Sequence, residues 1–224
     1  MLKLKEKEKE YINKIINADC MDILKQLPDK CIDLVLTDPP YGKQYARGKN
    51  GWGVCDNRPD LKDVKWDNET PSIEIFNEIV RVSKNQIVFG GNYFTDKLPV
   101  SNCWIVWDKI GENINKSVFA DLELAWTSFN KVCKKYTSVS MGFIKDDKSY
   151  RFHPTQKPLK LFEMILQDYS NENDLILDCF SGSGTTAVAC HNLKRRFICI
   201  EKDYEYWKAS VERLENAQAQ LKLF

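Results

Sequence analysis

Residues 175–186 of this 224-residue chain, with the sequence LILDCFSGSGTT, are the clearest indication of its fold class. The first part of this stretch, Leu175 to Cys179, is a short apolar run of the kind found in strands that are buried on both faces. Small residues follow in a turn, and a helical segment begins at Thr185 and runs to Leu193. A buried strand that passes through a tight turn into a helix is the repeating unit of α/β folds, in which helices cover a parallel sheet.

The rest of the chain alternates strands and helices in the same way. Strands are predicted at residues 11–19, 32–37, 86–89, 103–107, 122–127, 175–179 and 197–201. Helices are predicted at residues 20–27, 71–83, 159–169, 185–193 and 204–220. The alternation predicts one α/β domain over residues 1–224, with a mostly parallel sheet between helices.

The composition argues against several classes of protein. Lys and Arg number 33 and Asp and Glu number 32, so the net charge of +1 gives no sign of a nucleic-acid partner. The eight cysteines are scattered without CxxC spacing, which indicates reduced thiols in a cytoplasmic protein rather than a disulfide scaffold or a metal site. No apolar run approaches the roughly 20 residues of a membrane span. We therefore expect no metal and no membrane partner.

Two segments interrupt the alternation and are locally basic. Residues 42–66 carry six basic and three acidic side chains, and residues 131–160 carry eight and two. Either segment alone is consistent with a solvated surface, but together, and interleaved with aromatic residues, they favour contact with a nucleic-acid backbone. Residues 42–66 are also long for a loop within a compact domain, so we expect them to form a mobile loop that contacts the nucleic acid. The candidate contacts are Lys43, Arg47, Lys49, Lys134, Lys135 and Arg151.

The glycine-rich turn after the strand at 175–179 is predicted to bind a ligand. Gly182 and Gly184 let a ligand approach the backbone, and the free N–H groups of the next helix face the same space. The turn is not a Walker phosphate loop, because Thr185 stands where that motif requires a lysine. The following strand ends at Glu201, about 20 positions on, where an acidic residue can hold ribose hydroxyl groups. A tight structural turn is the alternative for the glycines alone.

The tetrapeptide DPPY, residues 38–41, directly follows the strand at 32–37 and is predicted to hold a planar amino group. Pro39 and Pro40 have no N–H group, so carbonyl oxygens and the Asp38 carboxylate are left as hydrogen-bond acceptors at the end of the strand. Tyr41 supplies an aromatic ring that can stack on the same flat molecule. The alternative is a strand that is simply ended by prolines.

Three motifs in this order resemble those of the beta group of S-adenosylmethionine-dependent DNA amino-methyltransferases: DPPY at 38–41, HPTQKP at 153–158 and DCFSGSGTT at 178–186. In most methyltransferases the cofactor loop precedes the DPPY-type motif, whereas here it follows by 140 positions, which is the circular permutation of this group. The resemblance extends from Ala18 to Tyr204. It implies a single Rossmann-like methyltransferase domain, circularly permuted, with a mostly parallel seven-stranded sheet and helices on both faces.

The resemblance also implies roles for individual residues. Asp38, Pro39, Pro40 and Tyr41 would form the catalytic site, in which Asp38 and the Pro39 carbonyl accept the N–H bonds of a flipped base. The cofactor S-adenosylmethionine, whose product is S-adenosylhomocysteine, would be bound at its adenine by Asp19 and Cys20, at its ribose by Glu201, at its methionine part by Asp178, Phe180, Ser181, Gly182, Ser183, Gly184, Thr185 and Thr186, and at its carboxylate by Thr155, Gln156 and Lys157.

The implied partner is double-stranded DNA, read in part by a short target-recognition segment at about 130–152. The resemblance allows a homodimer and leaves open whether a restriction endonuclease is a partner. Asp38 in the first position of the motif favours adenine N6 as the methylated amino group, and cytosine N4 remains open as the alternative.

Two other functions compete with DNA methylation. Amino-methylation of RNA or protein also uses a Pro-Pro-Tyr motif, but its usual motif order is the reverse of this one. A non-catalytic DNA-binding subunit should have lost some of the functional residues, yet Asp38, Tyr41, Gly182, Gly184 and Glu201 are all present.

Overall fold

A computed structural model describes residues 9–42, 69–112, 120–141, 144–145 and 156–220 of the chain. The strands are β1 Lys14–Asn17, β2 Ile32–Thr37, β3 Ser83–Phe89, β4 Trp104–Asp108, β5 Leu122–Thr127, β6 Lys134–Thr137, β7 Ser140–Met141, β8 Ile144–Lys145, β9 Leu175–Asp178 and β10 Arg196–Glu201. The helices are α1 Cys20–Leu24, α2 Ile73–Val82, α3 Leu159–Tyr169, α4 Thr185–Asn192 and α5 Tyr204–Ala219, and a short 3-10 turn covers Gly91–Tyr93.

One large sheet organises these elements, with its strands in the order β1-β10-β9-β2-β3-β5-β4-β6. Strand β5 is antiparallel to both of its neighbours, and the other neighbouring strands are parallel. The expected mostly parallel α/β fold is confirmed, with eight strands in the described sheet where the sequence predicted seven. The additional strand is β6, an edge strand. Strands β7 and β8 pair with each other in a separate ribbon.

Two hydrophobic clusters show that helices cover both faces of the sheet. The first contains side chains of α3, α4 and α5, among them Phe162, which stacks on Phe89 of β3 with ring centroids 5.4 Å apart. The second contains side chains of α1 and α2. Strand β9 contributes Ile176 to the first cluster and Leu175 and Leu177 to the second. Strand β9 is therefore buried on both faces, at the centre of the fold. Full burial of each such side chain contributes roughly 1.5–3 kcal/mol to the stability of the folded state.

Several elements are shorter than the sequence predicted, for local reasons. Strand β1 begins only after Asn13, whose φ of 61° lies outside the extended region. Helix α1 ends at Leu24 and continues as a turn, in which the Leu27 N–H donates to the Leu24 carbonyl three residues back. Helix α2 begins after Ser72, whose extended backbone caps it. None of the described helices is long and apolar enough to cross a membrane.

The sheet topology brings the ends of β2 and β9 to one edge. The two strands are parallel neighbours, with Leu34 beside Ile176 and Val35 beside Leu177. The segments that follow Thr37 and Asp178 therefore leave the sheet side by side, as expected for the carboxyl ends of parallel strands.

Strands β4 and β5 extend past this edge and form a wall beside it. Thr37, the last residue of β2, is level with Val88 of β3, which pairs with Trp126 of β5, which in turn pairs with Trp104 of β4. From that level β4 runs on to Asp108, opposite the first residue of β5. Side chains on this extension can reach over the ends of β2 and β3.

Candidate active site

A hydrogen bond joins the two principal motifs at the end of the sheet. The Thr37 hydroxyl donates to Asp178 Oδ1 over 2.7 Å, and the Thr186 hydroxyl donates to the other oxygen, Oδ2, over 2.5 Å. The Phe180 N–H also donates to Oδ1, over 3.1 Å. Burial raises the pKa of Asp178 to about 6, and the hydrogen bonds from both threonines oppose this rise. Asp178 therefore fixes the glycine turn to the strand that carries the DPPY motif.

The backbone conformation of the glycine turn requires glycine at two positions. Gly182 and Gly184 have φ values of 50° and 74°, in the left-handed region that L side chains rarely adopt. A Cβ atom at Gly184 would also lie 3.0 Å from the Cβ of Ser210 on α5. The turn is thus held close to α5 as it enters α4.

Glu201 supports the glycine turn from the end of β10. Its Oε2 accepts a hydrogen bond of 2.7 Å from the Gly182 N–H, and its Oε1 accepts one of 2.8 Å from the Asp203 N–H. Burial raises the pKa of Glu201, and these two backbone bonds oppose the rise. A carboxylate has about four lone-pair positions, so acceptor capacity remains for two hydroxyl groups of a ligand.

Asp19 and Cys20 lie beside Glu201, because Asn17 of β1 pairs with Glu201 of β10. Asp19 caps α1 by accepting a hydrogen bond of 3.0 Å from the Met21 N–H, and it forms an ion pair of 2.9 Å with Lys202. The hydrogen bond from Lys202 lowers the pKa of Asp19. Burial raises the pKa of Cys20 to about 12, so its thiol is neutral. The structure thus places the residues predicted at the adenine, the ribose and the methionine part along one edge.

Asp38 has a hydrogen-bond donor on each carboxylate oxygen. The Tyr41 hydroxyl donates to Oδ1 and the Lys157 ammonium donates to Oδ2, both over 2.5 Å. The Tyr41 ring stacks on Tyr93 with ring centroids 5.0 Å apart. It also covers Gly90, where an added Cβ atom would lie only 2.1 Å from Tyr41 Cε1.

Lys157, which was predicted at the cofactor carboxylate, has its ammonium beside the DPPY motif. Its side chain is buried, and its ammonium lies 2.5 Å from Asp38 and 3.1 Å from Glu123 of β5, which also pairs with Lys109 at 2.9 Å. Burial lowers the pKa of Lys157, but Asp38 and Glu123 outweigh it and raise the pKa overall. Burial likewise raises the pKa of Glu123, but Lys157 and Lys109 lower it to about 2. The structure therefore places this lysine on the DPPY motif. Gln156 beside it is buried.

The predicted nucleic-acid contacts are only partly described. Lys134 and Lys135 are exposed on β6 and pair with Asp168 at 3.0 Å and with Asp108 at 3.2 Å. Within the predicted target-recognition segment at 130–152, the described residues include the short strands β6, β7 and β8. The other predicted residues lie outside the described ranges: Lys43, Arg47, Lys49, Arg151 and Thr155, and with them the loop at 42–66 beyond Gly42.

Four residues at the site were not predicted from the sequence. Glu123 lies within an apolar strand, Gly90 and Tyr93 follow β3, and Arg213 of α5 donates to the Ser183 carbonyl in the glycine turn over 3.0 Å. The pair of glycines directly after a buried strand was a usable signal for the turn at 90–93. Nothing in the local sequence shows that the side chain of Glu123 or Arg213 faces the site. In the described ranges no group of three metal-ligating side chains could hold a metal ion.

Comparison with known proteins relates this geometry to methyltransferases. The family model N6_N4_Mtase, described as DNA methylase, matches residues 77–212. The Type II methyltransferase M.HinfI of Haemophilus influenzae is 28% identical, in an alignment that covers 94% of this chain and 70% of that protein.

Solved structures show the same similarity. The complex of M1.HpyAVI with SAM superimposes with a TM-score of 0.56 at 26% identity and covers 90% of this chain and 98% of that one. The cytosine-N4-specific PvuII DNA methyltransferase shares the fold, with a TM-score of 0.55 at 17% identity, over 91% of this chain and 92% of that one.

Proposed function

This chain belongs to the family of DNA methylases that the N6_N4_Mtase model describes, and we propose that it transfers the methyl group of S-adenosylmethionine to the exocyclic amino group of a base in double-stranded DNA. The observation that carries the proposal is the hydrogen bond between Thr37 and Asp178, because it fixes the acceptor motif and the glycine turn side by side at one edge of the sheet. A methyl donor held by the turn and an amino group held at Asp38 would be neighbours, and such positioning accounts for much of the rate of a group transfer.

The residues along this edge fit the proposed cofactor. Gly182 and Gly184 leave room for a ligand against the backbone, and the first N–H groups of α4 have no partner within the helix. Glu201 retains acceptor capacity for ribose hydroxyl groups, and Asp19 and Cys20 lie beside it. When bound, S-adenosylmethionine supplies a methyl group on a positively charged sulfur, so the protein does not need to activate a leaving group.

The DPPY motif would act on the base. To reach the methyl group, the base must leave the helix, and Tyr41 offers a ring on which it can stack. Asp38 and the Pro39 carbonyl would accept the two N–H bonds and direct the nitrogen lone pair at the methyl carbon. A C–N bond forms, the C–S bond breaks with its electron pair left on sulfur, and the amino nitrogen then loses one proton to water.

Adenine N6 is the proposed target, on the strength of the aspartate in the first position of DPPY. Cytosine N4 is the second candidate, because the family model covers both kinds of amino group and the similar PvuII enzyme is cytosine-N4-specific.

Transfer of tritiated methyl groups from S-adenosylmethionine tests the function. Label is expected in double-stranded DNA and absent from RNA and protein offered under the same conditions. Mass spectrometry of the digested DNA should then find N6-methyladenine. N4-methylcytosine alone would overturn the choice of base, and label in RNA or protein alone would overturn the choice of substrate.

A further inference from the structure

Glu123, Lys157 and Asp38 form a row of charges beside the DPPY motif, in which Lys157 is buried and the two carboxylates are partly buried. The Lys157 ammonium lies between the two carboxylates, 2.5 Å from Asp38 and 3.1 Å from Glu123. Only 6% of Lys157 is exposed. The rings of Tyr41, Phe89 and Trp107 surround the ammonium, with centroids 5.4–5.8 Å away.

Burial of a charged ammonium among aromatic rings costs free energy unless opposite charges pair with it, so both carboxylates are needed to stabilise Lys157 in this position. Glu123 is held in turn by Lys109, at 2.9 Å, and it lies on the part of β5 that extends past the ends of β2 and β3. The row therefore runs from the wall of the sheet to one oxygen of Asp38. The Tyr41 hydroxyl donates a hydrogen bond to the other oxygen of Asp38.

We propose that Lys157 and Glu123 are positioning residues for Asp38, in that Lys157 holds its carboxylate in the orientation and ionised state that accept an N–H bond and Glu123 holds Lys157 in place, and that Lys157 is not a ligand of the cofactor. This inference rests on the proposed function, since it gives Asp38 the role of acceptor.

The two positioning residues act on Asp38 in opposite directions. Burial raises the pKa of Asp38, the positive charge of Lys157 lowers it, and the negative charge of Glu123 raises it. The other titratable groups around this cluster in the described ranges are Tyr41, Lys109 on the far side of Glu123, and Asp178 on β9. Removing the charge of Lys157 should therefore make Asp38 harder to ionise, and removing that of Glu123 should make it easier.

The test compares Lys157→Met with Glu123→Gln, which approximately keep the shapes of the two side chains. For each variant, kcat is measured against pH at saturating DNA and S-adenosylmethionine, and cofactor affinity is measured by calorimetric titration. For Lys157→Met we expect a loss on the order of 10²-fold in kcat at neutral pH, as for removal of one preorganised polar group. Its acid limb should move to higher pH, and that of Glu123→Gln to lower pH. Cofactor Kd should stay within about threefold, less than the loss of a charged hydrogen bond would cause.

Lys84→Met is the matched control, because Lys84 is an exposed lysine that pairs with Asp33 at the opposite edge of the sheet. It should leave kcat, its pH profile and cofactor affinity unchanged. If Lys157→Met does not fold, as judged by circular dichroism, the direction of the shift in Glu123→Gln still decides the question.

Two results would overturn the positioning role while the wild-type chain methylates DNA. One is a loss of cofactor affinity of tenfold or more in Lys157→Met with kcat retained at saturation, which would make Lys157 a cofactor ligand. The other is an acid limb that does not move, or moves in the same direction in both variants. A wild-type chain that transfers no methyl group to DNA would instead overturn the proposed function, and the positioning role with it.

Discussion

Asp38 is the single residue whose chemistry the proposed reaction depends on most directly. Both of its oxygens already accept hydrogen bonds, from Tyr41 and from Lys157, so its carboxylate is oriented before any base arrives. A preorganised acceptor costs no reorganisation when the reaction occurs.

Asp38→Asn should remove most of the turnover, because the amide keeps the shape but can turn a donor towards the amino group. We expect kcat to fall by on the order of 10²–10³-fold, with little change in the affinity for DNA or S-adenosylmethionine. Asp33→Asn is the control, at the amino end of the same strand. Single-turnover kinetics measures the effect, and retention of more than a tenth of wild-type turnover would exclude Asp38 as the acceptor.

Asp178 should make the stability of the protein depend on pH. Its pKa is about 6 in the folded chain because it is buried, against about 3.8 when unfolded. The folded state therefore holds the proton more tightly, and the free energy of unfolding should fall as pH rises from about 4 to about 6. At about 1.4 kcal/mol per pKa unit, the Asp178 contribution to this loss is up to about 3 kcal/mol.

Urea unfolding of the wild type and of Asp178→Asn at pH 4 and pH 7 measures this contribution. The amide cannot ionise, and the Thr186 hydroxyl can rotate to accept from it, so the variant should lose this part of the pH dependence. The same difference between pH 4 and pH 7 in both proteins would show that Asp178 does not titrate in this range.

At the scale of the elements, the turn that follows β3 holds the ring of Tyr41. Gly90 has a φ of 68°, and the 3-10 turn after it brings Tyr93 to stack on Tyr41. A Cβ atom at position 90 would collide with the Tyr41 ring, so the turn and the DPPY motif fit together only with glycine there.

Gly90→Ala should displace the Tyr41 ring and weaken the binding of the flipped base. Stacking of a base on an aromatic ring is worth roughly 1–3 kcal/mol, so a loss of about 5- to 150-fold in kcat/KM is expected. Gly111→Ala is a matched control, because its φ is 59° but the nearest atom to an added Cβ is Thr137 Cγ2 at 3.3 Å. A fluorescent base analogue at the target position reports flipping. Equal effects of the two variants would assign the loss to backbone strain alone.

Elements with a clear apolar period were predictable from the sequence, and edge elements were not. Helix α3 and strand β5 have the predicted bounds: the apolar side chains of α3 face one core, and β5 contributes Ala125 to one hydrophobic cluster and Trp126 to the other. Strand β6, with the sequence KKYT, was missed since only Tyr136 of its four side chains is buried. An edge strand of this kind is defined by its pairing with β4, which the local sequence does not record.

At the scale of the whole molecule, the sequence located the two motifs of the site but not all of their partners. DPPY and the glycine turn follow buried strands, and that local context was enough to predict that both bind a ligand. The contact of Lys157 with Asp38 joins residues 119 positions apart, and its contact with Glu123 depends on how far β5 extends past the edge of the sheet. Neither contact could be read from a local pattern.

The surface of the whole molecule must also hold DNA, and Lys135 is placed to contribute. It lies on β6, whose neighbour β4 extends past the site edge, and 65% of its side chain is exposed. Its ion pair with Asp108 is at the surface, where such pairs are worth about 0–1 kcal/mol, so exchanging it for a phosphate costs little.

Each phosphate contact contributes roughly 0.9 to the slope of log affinity against log salt. Lys135→Ala should therefore reduce that slope by about 0.9, as measured by fluorescence anisotropy with a DNA duplex between 50 and 200 mM salt. Lys84→Ala, which removes an exposed and paired lysine at the opposite edge, should leave the slope unchanged. If the two variants have the same slope, the DNA does not lie against β6, and its phosphates must be bound by another basic part of the chain.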